Sequence, residues 1–237
     1  MSRDVAVVLL TWKRLPALKN TLNKLSNQTY SDFDLYISNS NAGERRYVED
    51  VARSFNGRMD IWVSQDSNDY FAFRRLFVGR YLAENKYKKI LFLDDDISFP
   101  NTYLENALSQ WQPRTYKSGY AWSITGKDYH KNRKRVWSDK HKVKYCGTGI
   151  SMVDAKLFLE DDLVYNYPAG ALKIEDLWMS YYVDHKLKRK GWRLKYMDTP
   201  DVVIGGADRV ALFRNVKKDS YDKTDFLVEL IDMGWRI

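Results

Sequence analysis

The sequence is poor in cysteine and has no long apolar run. Cys146 is the only cysteine among the 237 residues, so no disulfide can form within the chain. This cysteine usage is typical of reducing compartments, and we expect a cytoplasmic protein. The apolar run at residues 5–10 is too short for a signal-peptide apolar region and far shorter than the roughly 20 residues that span a bilayer. We therefore expect no transmembrane segment.

Four common sequence signatures are also absent. The chain has no Gly-x-Gly-x-x-Gly after its first apolar run, no phosphate loop ending in Gly-Lys-Ser/Thr, no His-Glu-x-x-His and no Gly-x-Ser-x-Gly. These absences remove most of the support for a dinucleotide-binding protein, a P-loop protein, a zinc protease and an α/β-hydrolase.

Positive charge is in excess and is unevenly distributed. The formal net charge is +8, and residues 127–144 contain eight Lys or Arg against two Asp. A second basic run covers residues 186–195. Each run is either a surface that faces phosphates or an ordinary solvated surface. Hydrophobic residues make up 44% of the chain, which is ample for the core of one compact domain.

Apolar runs alternate with helical stripes in the first part of the chain. Strands are predicted at residues 5–10, 33–37, 60–64 and 89–93, and helices at 15–25, 47–55 and 71–83. This alternation predicts an α/β fold with a mostly parallel central sheet flanked by helices.

The second part of the chain is less regular. A helix is predicted after Pro100, whereas residues 112–145 show no clean period and are predicted to be an excursion or loop. Order returns with a strand-like segment at 145–153, a short helix from 154, a longer helix at 174–189 and an alternating strand at 192–196.

Three consecutive carboxylates follow the apolar residues 91–93. Asp94, Asp95 and Asp96 repel one another unless a cation or hydrogen-bond donors compensate their charge. Ligands of open α/β sheets bind at the carboxyl ends of strands, and hard oxygen ligands suit Mg²⁺ or Mn²⁺. The residues therefore predict a divalent metal site, with an acidic turn before the next helix as the alternative.

Two further groups stand out in the second half of the chain. Glu175 and Asp176 begin a predicted amphipathic helix, where acids are favoured by the helix dipole. A carboxylate there also accepts a proton from a substrate hydroxyl if it lies across a pocket from the aspartates. Gly147-Thr148-Gly149 allows close approach of a substrate, although two such glycines more often mark a turn or bulge.

Taken together, these motifs resemble the nucleotide-sugar glycosyltransferases of the GT-A fold, especially the inverting enzymes of family 2. The resemblance extends from about residue 5 to residue 197 and rests on five segments in the expected order. They are the first strand and turn at 7–16, Asn27-Gln28-Thr29-Tyr30 before the second strand, the Asp-x-Asp motif at 93–96, the Glu175-Asp176 pair and Gly191-Trp192-Arg193-Leu194.

The resemblance implies a nucleotide site in residues 1–96. Thr11, Trp12 and Arg14 border the base pocket, and Arg74 or Arg75 approaches the nucleotide. Asn39 stands where relatives usually carry an aspartate, and it can hydrogen-bond a base without charge. Asp94 and Asp95 bind ribose or assist the metal, and Asp96 ligates Mn²⁺ or Mg²⁺. The expected donor is a UDP-sugar by default.

The resemblance further implies an acceptor side in residues 97–200, followed by a C-terminal extension at 201–237. Asp176 takes the proton of the acceptor hydroxyl, whereas Glu175 orients or caps. The acceptor, a glycan or glycoconjugate, contacts Gly147, Thr148, Gly149 and Trp178. Relatives often supply a metal-binding His after the last core strand. Residues 202–206 contain none, so Asp208 or phosphates and water complete the metal shell.

Three alternatives remain beside an inverting hexosyl- or deoxyhexosyltransferase. A retaining enzyme on the same fold is disfavoured by the Glu175-Asp176 pair. A metal-dependent nucleotidyltransferase usually has a Gly-rich loop after its first strand, and residues 11–16 contain no glycine. A nucleic-acid binder would stack bases on Trp137, Tyr129 and Tyr145, but that function leaves the three aspartates unexplained. We therefore expect no nucleic-acid partner.

Overall fold

A computed structural model describes residues 3–55, 57, 59–65, 68–137, 142–189, 191–194 and 222–237. Its strands are β1 (Val5–Thr11), β2 (Asp34–Asn39), β3 (Asp60–Gln65), β4 (Lys89–Asp94), β5 (Tyr116–Ser118), β6 (Ala121–Ile124), β7 (Arg133–Arg135), β8 (Lys142–Val143), β9 (Tyr145–Cys146), β10 (Ile150–Asp154) and β11 (Gly191–Arg193). Its α-helices are α1 (Leu15–Ser26), α2 (Arg45–Arg53), α3 (Arg74–Glu84), α4 (Tyr103–Leu108), α5 (Tyr129–Asn132), α6 (Asp161–Val164), α7 (Glu175–Tyr181) and α8 (Lys223–Asp232).

The central sheet has eight strands in the order β3-β2-β1-β4-β10-β5-β11-β8. The strands β3, β2, β1 and β4 are parallel, as the alternation of strands and helices predicted. The other half is mixed, because β10 is antiparallel to β4 and β5, and β11 is antiparallel to β8. The predicted α/β class with a Rossmann-like sheet is confirmed, and the carboxyl ends of β1, β2 and β4 meet at one edge.

One apolar layer covers each face of the sheet. Alternate residues of β1 point to opposite faces, so Val7 packs with α1, α2 and α4 while Val8 packs with α3, α7 and α8. Every residue of β1 is buried, which explains its continuous apolar sequence. Gly79 of α3 lies against the ring of Phe158, which would stand 2.7 Å from a Cβ there. A small residue therefore allows this close packing of α3.

Two helices have bounds that differ from the predicted ones. The helix expected at 71–83 begins at Arg74, because Phe71 has a φ of 42° and breaks the preceding 3-10 segment Asn68–Phe73. The helix expected at 174–189 is α-helical only to Tyr181 and continues as a π-helical turn, Tyr182–Lys186. The side chain of Asp184 in that turn accepts hydrogen bonds from Lys144 and Trp235.

The segment at 112–145, expected to be an excursion or loop, leaves the central sheet but is not a loop. It supplies β5 and β8 to the central sheet, and β6, β7 and the start of β9 to a second sheet of three strands in the order β7-β6-β9. Its strands have two to four residues, too few to show a period, and β6 pairs with β9 across more than 20 residues of sequence. Non-local pairing of this kind leaves no local pattern.

The end of the chain packs on the core. Helix α8 begins with a capping box between Asp222 and Asp225, and its residues Phe226, Leu227 and Leu230 are fully buried. No helix in the part of the chain that the structure describes combines the length and the apolar character needed to cross a bilayer.

Candidate active site

The aspartate cluster lies at the carboxyl end of β4, beside the end of β1. Arg14 Nη1 is 3.0 Å from Asp95 Oδ1 and 2.9 Å from Asp96 Oδ2. Thr11 donates a hydrogen bond to Asp95 Oδ2 at 3.1 Å. Burial raises the pKa of Asp95 to about 7, while Arg14 acts in the opposite direction. The buried Asp95 therefore holds the turn between β1 and α1 in place. The side chain of Asp96 is more accessible to solvent than that of Asp95.

A buried arginine joins this cluster to the start of α7. Arg75 contacts the Asp94 carboxylate through Nη2, and its Nη1 donates to Thr148 Oγ1 at 2.7 Å and to Glu175 Oε1 at 2.5 Å. Thr148 in turn donates to Glu175 at 2.7 Å. Burial raises the pKa of Glu175, and the nearby Arg75 opposes that rise. Arg75 thus fixes the predicted metal side and the predicted catalytic helix relative to each other.

The two predicted acceptor glycines provide space for neighbouring side chains. A Cβ at Gly149 would overlap the Asp94 carboxylate. A Cβ at Gly147 would lie 2.9 Å from Tyr120 Cβ and 3.3 Å from the Trp122 ring. The glycines therefore allow the chain after β9 to pass between Asp94 and the aromatic side chains of the second sheet.

We expect Gly149→Ala to weaken Mn²⁺-dependent binding of a nucleoside diphosphate by at least about tenfold, because the added methyl group displaces Asp94. Gly43→Ala is the matched control, since its Cβ would meet only Asn41 Oδ1 at 3.6 Å. Titration calorimetry measures both variants. Equal affinities for Gly149→Ala and Gly43→Ala would contradict a role for the Asp94 position.

Asp176 lies in a polar group of three residues. Its Oδ2 accepts hydrogen bonds from the Tyr145 hydroxyl and from Lys223 Nζ, the latter at 2.7 Å. Lys223 also donates to the Tyr145 hydroxyl at 3.0 Å. Burial acts to lower the pKa of Lys223, but the Asp176 carboxylate outweighs it and the pKa is raised. The ammonium therefore stays charged and holds the carboxylate in place.

Sequence reasoning missed Tyr145 and Lys223 as members of this group. Lys223 is the first residue of α8, where a cation is unfavourable to the helix dipole. That misplaced charge was the signal in the sequence, because its ion pair with Asp176 compensates for the unfavourable position. The separation of 47 positions between the two partners hid the contact.

Several residues expected at the nucleotide side support the sheet edge. Arg74 donates to the backbone oxygens of Thr11 and Ser38 at 3.0 and 3.3 Å. The Asn39 side chain is fully buried and donates to Gln65 Oε1 at 2.9 Å. Arg74 therefore holds the ends of β1 and β2 together, and Asn39 joins the end of β2 to the end of β3. Trp12 is partly exposed, with Lys13 Nζ 4.7 Å from its ring centroid, and its ring is available to a base.

Trp178 belongs to the core rather than to the acceptor side. Its ring is 2% exposed, stacks on Tyr181 and donates through Nε1 to the Leu163 backbone oxygen at 2.9 Å. The expected acceptor contact of Trp178 is corrected accordingly. The face of α7 that carries Asp176 is the one that meets the polar group.

The charges of the site fit a divalent cation. Five carboxylates (Asp94, Asp95, Asp96, Glu175 and Asp176) share three cationic partners, Arg14, Arg75 and Lys223. The side chains of Asp94 and Asp96 are 37% and 29% exposed, so their oxygens are accessible. Within the described ranges no three His, Cys, Asp or Glu side chains form a metal site by themselves. Two carboxylates completed by water and phosphate oxygens are a typical donor set for Mg²⁺ and suit Mn²⁺. Asp208 and residues 202–206 lie outside the described residues.

Comparison with known structures shows that the fold of this chain is similar to that of glycosyltransferase structures. No family model matches the sequence, and no curated protein matches it. The chain is similar to the mannosyltransferase PcManGT from Pyrobaculum calidifontis, in complex with GDP-Man and Mn²⁺, with a TM-score of 0.61, 14% identity and coverage of 98% of this chain and 69% of that one. It is also similar to residues 1–349 of S. aureus TarS in complex with UDP-GlcNAc, with a TM-score of 0.61, 13% identity and coverage of 97% and 65%. It thus spans just under two thirds of that TarS chain. The chain has the GT-A fold of nucleotide-sugar glycosyltransferases.

Proposed function

We propose that this chain is a metal-dependent, inverting glycosyltransferase that moves a hexosyl or deoxyhexosyl group from a nucleotide-sugar to a hydroxyl of a glycan or glycoconjugate. One observation carries the proposal. Arg75 joins Asp94, at the end of β4, to Glu175, at the start of α7, so two separate acidic segments form one site. The structural neighbours that bind GDP-Man with Mn²⁺ and UDP-GlcNAc support this function.

The donor side uses the carboxylates that remain accessible. Asp96, together with Asp94, holds Mn²⁺ or Mg²⁺, and Trp12 offers a ring face to the base. When bound, the cation neutralises charge that develops on the leaving diphosphate. Arg14 positions Asp96. The base is uracil by default, and the fully buried side chain of Asn39 leaves base selection to other residues.

The acceptor side uses one base and its supports. Asp176 takes the proton from the acceptor hydroxyl as that oxygen attacks the anomeric carbon and the nucleoside diphosphate leaves. Tyr145 and Lys223 hold the carboxylate, while Glu175 is bound to Arg75 and Thr148 and so fixes the start of α7. A single base opposite the leaving group gives inversion at the anomeric carbon.

A nucleic-acid binder receives less support from the aromatic residues. Tyr129 and Tyr145 are buried, and only Trp137 of the three expected stacking residues is exposed. The cytoplasmic location remains a prediction from the unpaired, buried Cys146.

Titration calorimetry with UDP, GDP and CDP, with and without Mn²⁺, tests the proposal. We expect one diphosphate to bind only with Mn²⁺, and Asp96→Ala to weaken that binding by at least about tenfold, because a ligand to the metal is lost. Asp50→Ala removes an exposed carboxylate of α2 and is expected to leave the affinity unchanged. The proposal would be overturned if a diphosphate bound equally well with and without Mn²⁺, or if none of the three diphosphates bound.

A further inference from the structure

A strip of stacked rings runs across the second sheet. The rings of Tyr120 and Trp122 stack with centroids 5.8 Å apart, and those of Trp122 and Tyr145 with centroids 4.8 Å apart. The Arg135 guanidinium lies 5.6 Å from the Tyr120 ring centroid and 4.4 Å from that of Trp137. Trp137 is 58% exposed. We call these five residues the aromatic strip; it leads from an exposed tryptophan towards the interior.

The inner end of the aromatic strip reaches the site. The hydroxyl of Tyr145 donates to Asp176, the proposed base. Trp122 and Tyr120 border Gly147, next to Thr148 of the Arg75 network. The strip therefore ends at Asp176, and its partly exposed rings, Tyr120 and Trp122, lie between Trp137 and this carboxylate.

The same sheet carries an excess of positive charge. Lys127, Arg133 and Lys134 are exposed, and none of them pairs with a carboxylate in the described part of the chain. The Arg133 guanidinium lies 4.6 Å from the Tyr129 ring centroid and 5.8 Å from that of Trp122. Asp128 is engaged locally, because it accepts from backbone amides at the start of α5 and pairs with Lys131. Arg133 therefore lies beside Trp122 of the strip, and Lys127 and Lys134 add exposed positive charge nearby in the sequence.

We propose that the aromatic strip and these cations bind the acceptor, and that the acceptor is an anionic glycan that carries phosphate or carboxylate groups. The inference rests on the proposed function, since it uses Asp176 as the base. Flat rings offer their faces to the C–H surfaces of sugar rings, and an exposed guanidinium binds phosphate or carboxylate through paired N–H groups. A single-stranded nucleic acid fits less well, because it needs successive exposed rings, and Tyr129 and Tyr145 are buried.

Titration calorimetry with defined oligosaccharides tests the inference. The probes are tetragalacturonic acid for carboxylates, phosphorylated pentamannose for phosphates, neutral maltopentaose, and a ten-residue oligothymidylate. Arg133→Ala/Lys134→Ala removes two exposed charges from β7, of which that of Arg133 lies beside Trp122 of the strip. Lys19→Ala/Arg46→Ala removes two exposed charges from α1 and α2 and is the matched control.

We expect at least one anionic glycan to bind about tenfold or more tightly than maltopentaose, and Arg133→Ala/Lys134→Ala to remove that advantage while the control keeps it. The anionic probe that binds with the higher affinity shows whether carboxylate or phosphate is recognised. Equal binding of the neutral probe, equal loss in the control, or tighter binding of the oligothymidylate would each overturn the inference.

A parallel titration with UDP, GDP and CDP in the presence of Mn²⁺ separates this inference from the proposed function. If a diphosphate binds and no anionic glycan does, the inference fails and the proposed function stands. If Arg133→Ala/Lys134→Ala weakens the diphosphate and not the glycan, the basic surface serves the donor and the inference fails. If no diphosphate binds, the proposed function fails by itself.

Discussion

Asp176→Asn should lower kcat for sugar transfer by roughly 100- to 10,000-fold, the usual contribution of a general base. An asparagine amide oxygen still accepts hydrogen bonds from Tyr145 and Lys223, but it takes no proton from an acceptor hydroxyl. Mn²⁺-dependent binding of the nucleoside diphosphate should stay within about twofold of the unmodified chain, since Asp176 lies on the acceptor side. Steady-state kinetics and calorimetry measure the two quantities.

Asp162→Asn is the matched control for this change. Asp162 lies in the first turn of α6, and among the described residues its carboxylate accepts a side-chain hydrogen bond only from the exposed Asn166. Its kcat should be unaltered. An Asp176→Asn variant that keeps full activity would show that another group takes the proton.

Arg75→Met should destabilise the chain by about 3–5 kcal/mol. The substitution leaves Glu175 buried without its cation and removes the partner of Asp94, and an uncompensated buried charge is costly. Denaturant unfolding measures the free energy. Arg53→Met is the control, because it breaks an exposed pair with Asp50, worth less than about 1 kcal/mol, and an exposed hydrogen bond to the Glu49 backbone oxygen.

A second variant tests the reason for this loss. In Arg75→Met/Glu175→Gln the buried position no longer carries a charge, so part of the lost stability should return. If Arg75→Met lowered the free energy of unfolding no more than Arg53→Met, the contacts of Arg75 between β4 and α7 would not stabilise the fold.

The parallel half of the sheet and the aspartate cluster could be predicted because their signals are local. An apolar run buried on both faces identifies β1 and β4. Three carboxylates directly after such a run indicate a site for a cation, because their charges repel one another. The expectation that Asp94–Asp96 and the Glu175 position lie in one site came from the GT-A resemblance and stays a prediction. The structure brings them together through Arg75.

Other features depend on contacts that no local pattern contains. The helical period showed that Trp178 lies on an amphipathic helix, but the ring turns to the core, where Leu163 accepts its N–H. The short strands of the second sheet pair across a long stretch of sequence. Lys223 meets Asp176 only because α8 packs beside α7. In each case the tertiary packing decides the role of a side chain.

A crystal structure with bound metal shows whether the cation lies at Asp96. Crystals of the chain grown with Mn²⁺ and the nucleoside diphosphate that binds in calorimetry, measured at the manganese absorption edge, reveal the ion by its anomalous signal. We expect a manganese peak beside the Asp96 carboxylate and the diphosphate, on the side of the site where Asp94 lies. A bound diphosphate without manganese at Asp96, or manganese held by other carboxylates, would contradict this expectation.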